Sequence, residues 1–209
     1  MNYTELTNAI NELAEYTFSA EQIKLFTQQT EKFIYGMYMF PALRKNQTGN
    51  MTAGQAYLSL PTDFIWVYSI AAISGTGEYT YLLDKDVNFI REAYPNSNIT
   101  GLPKHYSLFD ADSMLLGPTP NEAYSTELHY GYYPESIVTA NTTWLGETFD
   151  NALLNGCMVE AARFNKLESD IVANYDKMYQ QSMKVLGNLA TGRLRSDTYR
   201  SGQTRQPAN

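Results

Sequence analysis

Apolar side chains recur at helical spacing towards both ends of the chain and at a shorter, strand-like spacing between them. Over residues 3–15, Leu6, Ile10 and Leu13 share one face and predict a short helix. Ser19 followed by Gln22 has the form of a capping box, and Ile23, Phe26, Thr30, Phe33, Ile34 and Met37 carry a second helix onward from it. That helix must stop by Phe40, because Pro41 disfavours helical backbone in the residue before it. In the last third, Phe149, Leu153, Cys157, Ala161 and Phe164 mark a helix over 149–165. Ile171, Tyr175, Met178, Val185, Leu186 and Leu189 mark another over 169–189.

From Leu43 the period changes. Segments 44–50, 55–60, 65–73, 78–83, 105–109, 114–116 and 125–133 are short and divided by Gly, Pro, Asn and Asp, which is a strand-and-turn rhythm. Segment 65–73 is apolar on both faces and predicts a central strand sandwiched between layers. Segment 125–133 alternates Leu128, Tyr130 and Tyr132 against Glu127, His129 and Gly131, as a half-exposed strand does. A helix over 84–93, with Asp84 as its cap and Pro95 closing it, interrupts the strands. The expected fold class is therefore α+β. A helical bundle from residues 1–42 and 148–190 is interrupted by an antiparallel β-rich subdomain, 43–147, which includes a return linker from Pro134. An extended tail, 191–209, follows. The tail has no apolar period and is rich in Thr, Ser, Gly, Gln and Arg, so it buries too little surface to offset its own ordering entropy.

Charge and composition narrow the function classes. The formal net charge is −7, and the tail carries Arg193, Arg195, Arg200 and Arg205 against Asp197 alone, so the rest of the chain is strongly acidic. An acidic bulk disfavours general gripping of a phosphate backbone and suits a conduit through which DNA slides without sticking. No apolar run approaches the roughly 20 residues that span a bilayer, and residues 1–20 lack the basic start and apolar core of a signal peptide. Synthesis in a cytoplasm is the expectation. The single cysteine, Cys157, excludes an internal disulfide and sits on an apolar stripe as a small buried hydrophobe.

Little chemistry emerges. His105 and His129 fall on separate predicted strands without a second ligand at metal-binding spacing. Asp110 and Asp112 flank Ala111 between two apolar segments, where a hairpin turn favours aspartate for its bonds to its own backbone. Gly75 and Gly77 join strand to strand with no helix after them, so they read as a tight turn rather than a phosphate cradle. The expectation is no enzyme, no cofactor and no metal. Two features point instead to contacts with other chains. Tyr124, Tyr130, Tyr132 and Tyr133, with Tyr79 and Tyr81, form a Tyr-rich surface suited to subunit contact. The spaced arginines of the tail suit capture of carboxylates on a partner.

The strings FPALRK at 40–45, YLLDKDVNFIREAYP at 81–95, LGPTP at 116–120, ELHYGYYPE at 127–135 and YRSGQ at 199–203 resemble the head-tail adaptor (head-completion or connector) proteins of tailed phages. The resemblance spans nearly the whole chain. It implies a virion structural protein at the head-tail interface that forms a homo-oligomeric ring, usually of twelve copies, between the portal and a tail nozzle or tube protein. Such a ring extends the DNA channel without sequence-specific binding and without a membrane. The C-terminal segment of such proteins clasps the portal, a role that would fall here to Arg193, Arg195, Tyr199, Arg200 and Arg205. Tyr130, Tyr132 and Tyr133 would serve a subunit or tail interface. Three alternatives compete: a tail tube or nozzle component, a carbohydrate- or receptor-binding virion module that stacks sugars on the tyrosines, and a hydrolase using Asp110 and Asp112.

Overall fold

The computed structural model describes residues 1–96 and 98–195, with backbone only for Leu189 and for 191–195. The fold is mixed α+β, and the chain divides into two compact units. One combines 1–42 with 134 onward; the other is 43–133, continuous in sequence between the two parts of the first.

The helical unit begins with α1 (Tyr3–Ala14), capped by a reciprocal pair of bonds between Asn2 and Glu5. Then comes α2 (Ala20–Met37), whose Ser19–Gln22 capping box is present. After the second crossover follow α4 (Ile137–Ala140), α5 (Trp144–Thr148), α6 (Asp150–Phe164) and α7 (Ser169–Arg195); α3 (Val87–Ala93) belongs to the other unit. The stretch from Pro134 to Leu145, expected as a linker, thus holds α4 and the start of α5, two short helices capped by the side chains of Ser136 and Thr143. At the far end the helix does not stop at Leu189 but runs on to Arg195, taking in the first part of the expected tail. Gly192 is a residue type that often ends a helix, yet α7 carries through it, because adding residues to an existing helix costs far less than nucleating one.

Helix α6 is the centre of this unit, in contact with α1, α2, α5 and α7. It is buried on nearly every side through small residues: Ala152, Gly156, Cys157, Ala161 and Ala162, besides Leu153, Met158 and Val159. At Gly156 a β-carbon would lie 2.3 Å from Thr30 Cγ2 and 2.9 Å from Tyr179 Cε2, so the missing side chain is what lets α2 and α7 close onto α6. Phe18, Phe26 and Phe164 form an edge-to-face cluster at 5.3–6.3 Å, a favourable arrangement for ring quadrupoles.

Three expected stripes are corrected. Leu13, Phe33 and Met37 face outward, and α2 buries Thr27, Thr30, Glu31 and Tyr35 alongside Ile23, Phe26 and Ile34. On α7 the buried row is Tyr179, Met183, Leu186 and Ala190, while Ile171, Met178 and Val185 are exposed. Glu31 is buried to 3% exposure; its Oε1 accepts the backbone N–H of Ile137 at 2.9 Å and so satisfies the open start of α4. Burial pushes its carboxyl above the usual carboxylate range, against the opposing bonds from Ile137 and Ser136.

The β unit is a sandwich of two four-stranded sheets. The first has the order β1 (Arg44–Asn50), β10 (Ser125–Tyr132), β3 (Phe64–Ile73), β4 (Tyr79–Tyr81), antiparallel throughout. The second has the order β2 (Tyr57–Ser59), β8 (Ser113–Gly117), β7 (His105–Leu108), β5 (Leu83–Asp84). The β5–β7 pair is parallel, as is a small third sheet of β6 (Thr100–Gly101) with β9 (Thr119–Pro120), so the subdomain is not wholly antiparallel. Ile70, Ala72, Leu128 and Tyr130 from the first sheet meet Tyr106, Met114 and Leu116 from the second in one core. β3 is an inner strand as expected but not apolar-buried on both faces along its length: Ile65 is 42% exposed. In β10 the alternation holds as far as Tyr130, where register shifts against β3 leave Gly131 buried and Tyr132 half-buried. Gly131 lies under the Trp66 indole, 2.0 Å from where a β-carbon would stand. The short helix α3 (Val87–Ala93) is preceded by Asp86, not Asp84, because Asp84 is already committed to the β5 ladder.

Gly156→Ala is expected to lower stability by about 1–3 kcal/mol through overpacking, despite alanine's higher helix propensity, read by urea denaturation. Glu31→Ala leaves the Ile137 N–H unpaired and is expected to cost about 1–3 kcal/mol. Because the folded carboxyl titrates above its unfolded value, the native state holds the extra proton, and stability falls as pH rises from about 4.5 through the raised value. Glu31→Gln keeps the acceptor and should flatten that decline, measured as denaturation midpoints between pH 4.5 and 8.

Candidate interaction surface

Of the expected portal contacts, Arg193 and Arg195 fall on the last turn of the α7 backbone, whereas Tyr199, Arg200 and Arg205 lie outside the described residues. The tyrosines of β10 separate. Tyr130, at 1% exposure, is a core residue of the β sandwich, a correction to its expected place on the surface. Its hydroxyl donates to Asp63 Oδ1 at 2.8 Å and lies 3.3 Å from Gln47 Oε1. Burial, and then the bond to Asp63, pushes this phenol up to about 12. The other oxygen of Asp63 pairs with Lys45 Nζ, which also lies 4.4 Å from the centre of the Tyr132 ring. The lysine bond holds the Asp63 carboxyl below its usual range. Lys45, Asp63, Tyr130 and Tyr132 thus clamp β1, β10 and the start of β3 together. Tyr124 is likewise buried, its hydroxyl donating to Asn121. Tyr133, Tyr79 and Tyr81 are exposed.

The candidate chemical groups resolve into structural roles. Asp110 Oδ1 accepts the N–H of Asp112 at 2.9 Å and the hydroxyl of Ser113 at 2.8 Å, an Asx turn closing the β7–β8 hairpin. These bonds, the Asp112 amide first, lower the carboxyl of Asp110, the opposite of the shift a general acid needs. His105 Nδ1 meets the Tyr94 hydroxyl at 3.1 Å, and burial followed by Lys85 and Lys104 lowers its titration. His129 stacks on Tyr68, whose ring also carries the Arg44 guanidinium 4.4 Å from its centre. Cys157 has 0% exposure, and burial pushes its thiol up to about 12, so it is not a ready nucleophile. The Gly75 and Gly77 stretch is a tight turn, with Ser74 N–H bonded to Glu78 O and Gly77 at φ 83°. Among the described residues, no group of three His, Cys, Asp or Glu is placed to hold a metal ion, and no helix is long and apolar enough to cross a membrane.

What the surface offers instead is apolar contact area and open strand edges. Ile171, Met178 and Val185 recur every seven residues along α7 and are 41%, 43% and 59% exposed. Seven residues fall only about 20° short of two helical turns, so the three form a nearly straight stripe. Val185 also borders a cleft of about 380 Å³ shared with Phe149 and Ala152. In the β unit, β1 and β4 are the two outer strands of one sheet, and Lys45 to Asn50 are exposed throughout. The sequence carried a signal for the α7 stripe in its heptad spacing; that spacing was absorbed into the core face because both rows of α7 are apolar.

No curated protein matches the chain. The family model of the SU10 adaptor protein matches residues 1–207. The match spans nearly the whole chain, and the chain belongs to the SU10 adaptor protein family.

Proposed function

We propose that this chain is a virion structural protein that forms a homo-oligomeric ring, twelve copies in the reading favoured here, between the portal and the tail of a phage. The observation that carries the reading is the match of residues 1–207 to an adaptor family. In this reading the helices from the two ends of the chain act as a bundle that packs against the next copy. The β unit is inserted into it, and the C-terminal segment with Arg193, Arg195, Tyr199, Arg200 and Arg205 clasps the portal. The ring extends the DNA channel, and its acidic bulk repels the phosphate backbone so that DNA passes without adhering. Tyr132 and Tyr133 remain on the side available to a neighbouring copy or to a tail nozzle protein. The exposed stripe of Ile171, Met178 and Val185 supplies the apolar surface that such packing covers. Many modest contacts closed by symmetry give an assembly firmer than any one of them.

Mixed with purified portal rings, the protein is expected to sediment with them and to add a second ring visible by negative-stain electron microscopy; a protein that stays monomeric and apart from the portal defeats the reading. Val185→Glu, on a side chain 59% exposed, should leave the circular dichroism and melting temperature unchanged and weaken assembly at least tenfold. Removal of 196–209, which keeps α7 from Ser169 to Arg195, should preserve the fold and abolish portal attachment.

A further inference from the structure

The first sheet of the β unit ends in two strands that are only lightly protected against pairing: β4 is kept to three residues, and Arg44 and Lys45 charge only the start of β1. β1 reads Arg-Lys-Asn-Gln-Thr-Gly-Asn and β4 reads Tyr-Thr-Tyr. From Asn46 to Asn50, and across β4, there is no charge, no proline and no register break. Natural edge strands are commonly blunted by one of these devices.

The hydrogen-bond phase of each edge follows from the register. Met51 N–H bonds to Tyr124 O just beyond the β1–β10 ladder, in which every pair is in step. Alternate residues back along β1, Gly49, Gln47 and Lys45, therefore direct their backbone groups at β10, while Asn46, Thr48 and Asn50 direct theirs at the open edge. On the other side, Ser74 N–H bonds to Glu78 O and Leu82 N–H to Ile70 O, flanking the Ala72–Thr80 pair. Tyr79 and Tyr81 are thus the residues of β4 whose backbone groups point outward.

The sheet has four strands, an even number, and that number decides what fits. β1 and β4 run in opposite directions, and their outward-pointing residues lie on the same face as Glu127, which is in register with Thr48 on one side and, through Ala71, with Tyr81 on the other. A second copy placed edge to edge presents β4 to β1 antiparallel, in phase and with matching faces. Pairing Asn46 with Tyr81 and Thr48 with Tyr79 satisfies the backbone groups of all four and sets Gln47 opposite Thr80. Three or five strands would fail on direction or on phase.

We propose that β1 of one copy pairs antiparallel with β4 of the next, so that the first sheet continues from copy to copy. The contact joins two different surfaces of the same chain, and a head-to-tail contact of that kind closes into rings when its rotation permits. The inference rests on the ring reading and names one of its interfaces. The aromatic pair Tyr79 and Tyr81, stacked at 6.4 Å and largely exposed in the single chain, is covered in the assembly by the Asn46 and Thr48 side chains of the neighbour.

The test is a disulfide across the proposed pair in the full-length chain. Opposite residues at a non-hydrogen-bonded site stand about 4.5 Å apart at Cα, within the range a disulfide spans. Within one copy the same two positions are three strand spacings apart, about 14 Å, and cannot be joined. Cys157 is fully buried and does not compete. Under a mild oxidant, the chain carrying both Gln47→Cys and Thr80→Cys, assembled alone or on portal rings, should give a ladder of covalent oligomers reaching ring size; either single variant should give dimer at most. As an independent arm, Thr48→Pro removes an outward N–H without touching the β10 ladder. It should keep the wild-type circular dichroism and raise the concentration for half-assembly about tenfold. Rings that form without the ladder, or a Thr48→Pro chain that assembles as wild type does, overturn the edge pairing and leave the ring standing. A chain that assembles under neither condition removes the ring and this interface together.

Discussion

The helical unit depends on how closely other helices approach α6. Small residues on nearly all sides of that helix let α1, α2, α5 and α7 contact it at once, and Gly156 is the tightest point, where Thr30 and Tyr179 occupy the volume a side chain would need. Close packing of this kind leaves few alternatives, because any added methylene has nowhere to go. It also fixes the rotation of α7. With the Tyr179 ring seated at Gly156, and Gly187 lying against the Tyr38 ring, the row Tyr179, Met183, Leu186 and Ala190 must face inward. Ile171, Met178 and Val185 are then carried to the outside.

The β unit solves a different problem. Its core is shared between two sheets, and the Lys45–Asp63–Tyr130 arrangement ties the outer strand β1 to the inner strands at one end. An outer strand held in this way keeps a regular backbone, where a loose one would fray. A firmly held edge that is uncharged from Asn46 to Asn50 is a liability for a protein that must stay alone and an asset for one that assembles. Among the described residues the candidate groups serve structure: Asp110 in the β7–β8 turn is spent on the backbone and hydroxyl beside it, and the buried Cys157 thiol and Tyr130 phenol are held protonated. The fold's exposed resources are an apolar row on α7 and open strand edges on the first sheet.

Much of this was legible in the residues. The Ser19 cap, the change of period at Leu43, the strand rhythm up to Tyr133 and the aspartate turn each follow from local rules, and the structure has them. Other readings failed for physical reasons that local rules do not contain. Asp84 and Asp86 are equally good caps by composition, and the choice fell to Asp86 because β7 claims Asp84. Tyr130 and Tyr132 share a strand face by alternation, yet the register shifts in β10 bury one and half-expose the other. Residues 137–140 and 144–148 are too short for a periodic signal, and their helices exist because side-chain caps and Glu31 receive their free N–H groups.

The sequence by itself determined the longer helices and strands, the α+β class, and the family of shape to which the chain belongs, because these rest on side-chain periodicity, turn residues and motif order along a single dimension. Which of two apolar rows on α7 is core, which tyrosines are surface, and which backbone groups on β1 and β4 are left open were decided only by tertiary structure. Burial is a relation between segments far apart in the chain, and a helix with two apolar faces, or a strand with free groups on either side, contains no information about which side its neighbours will take.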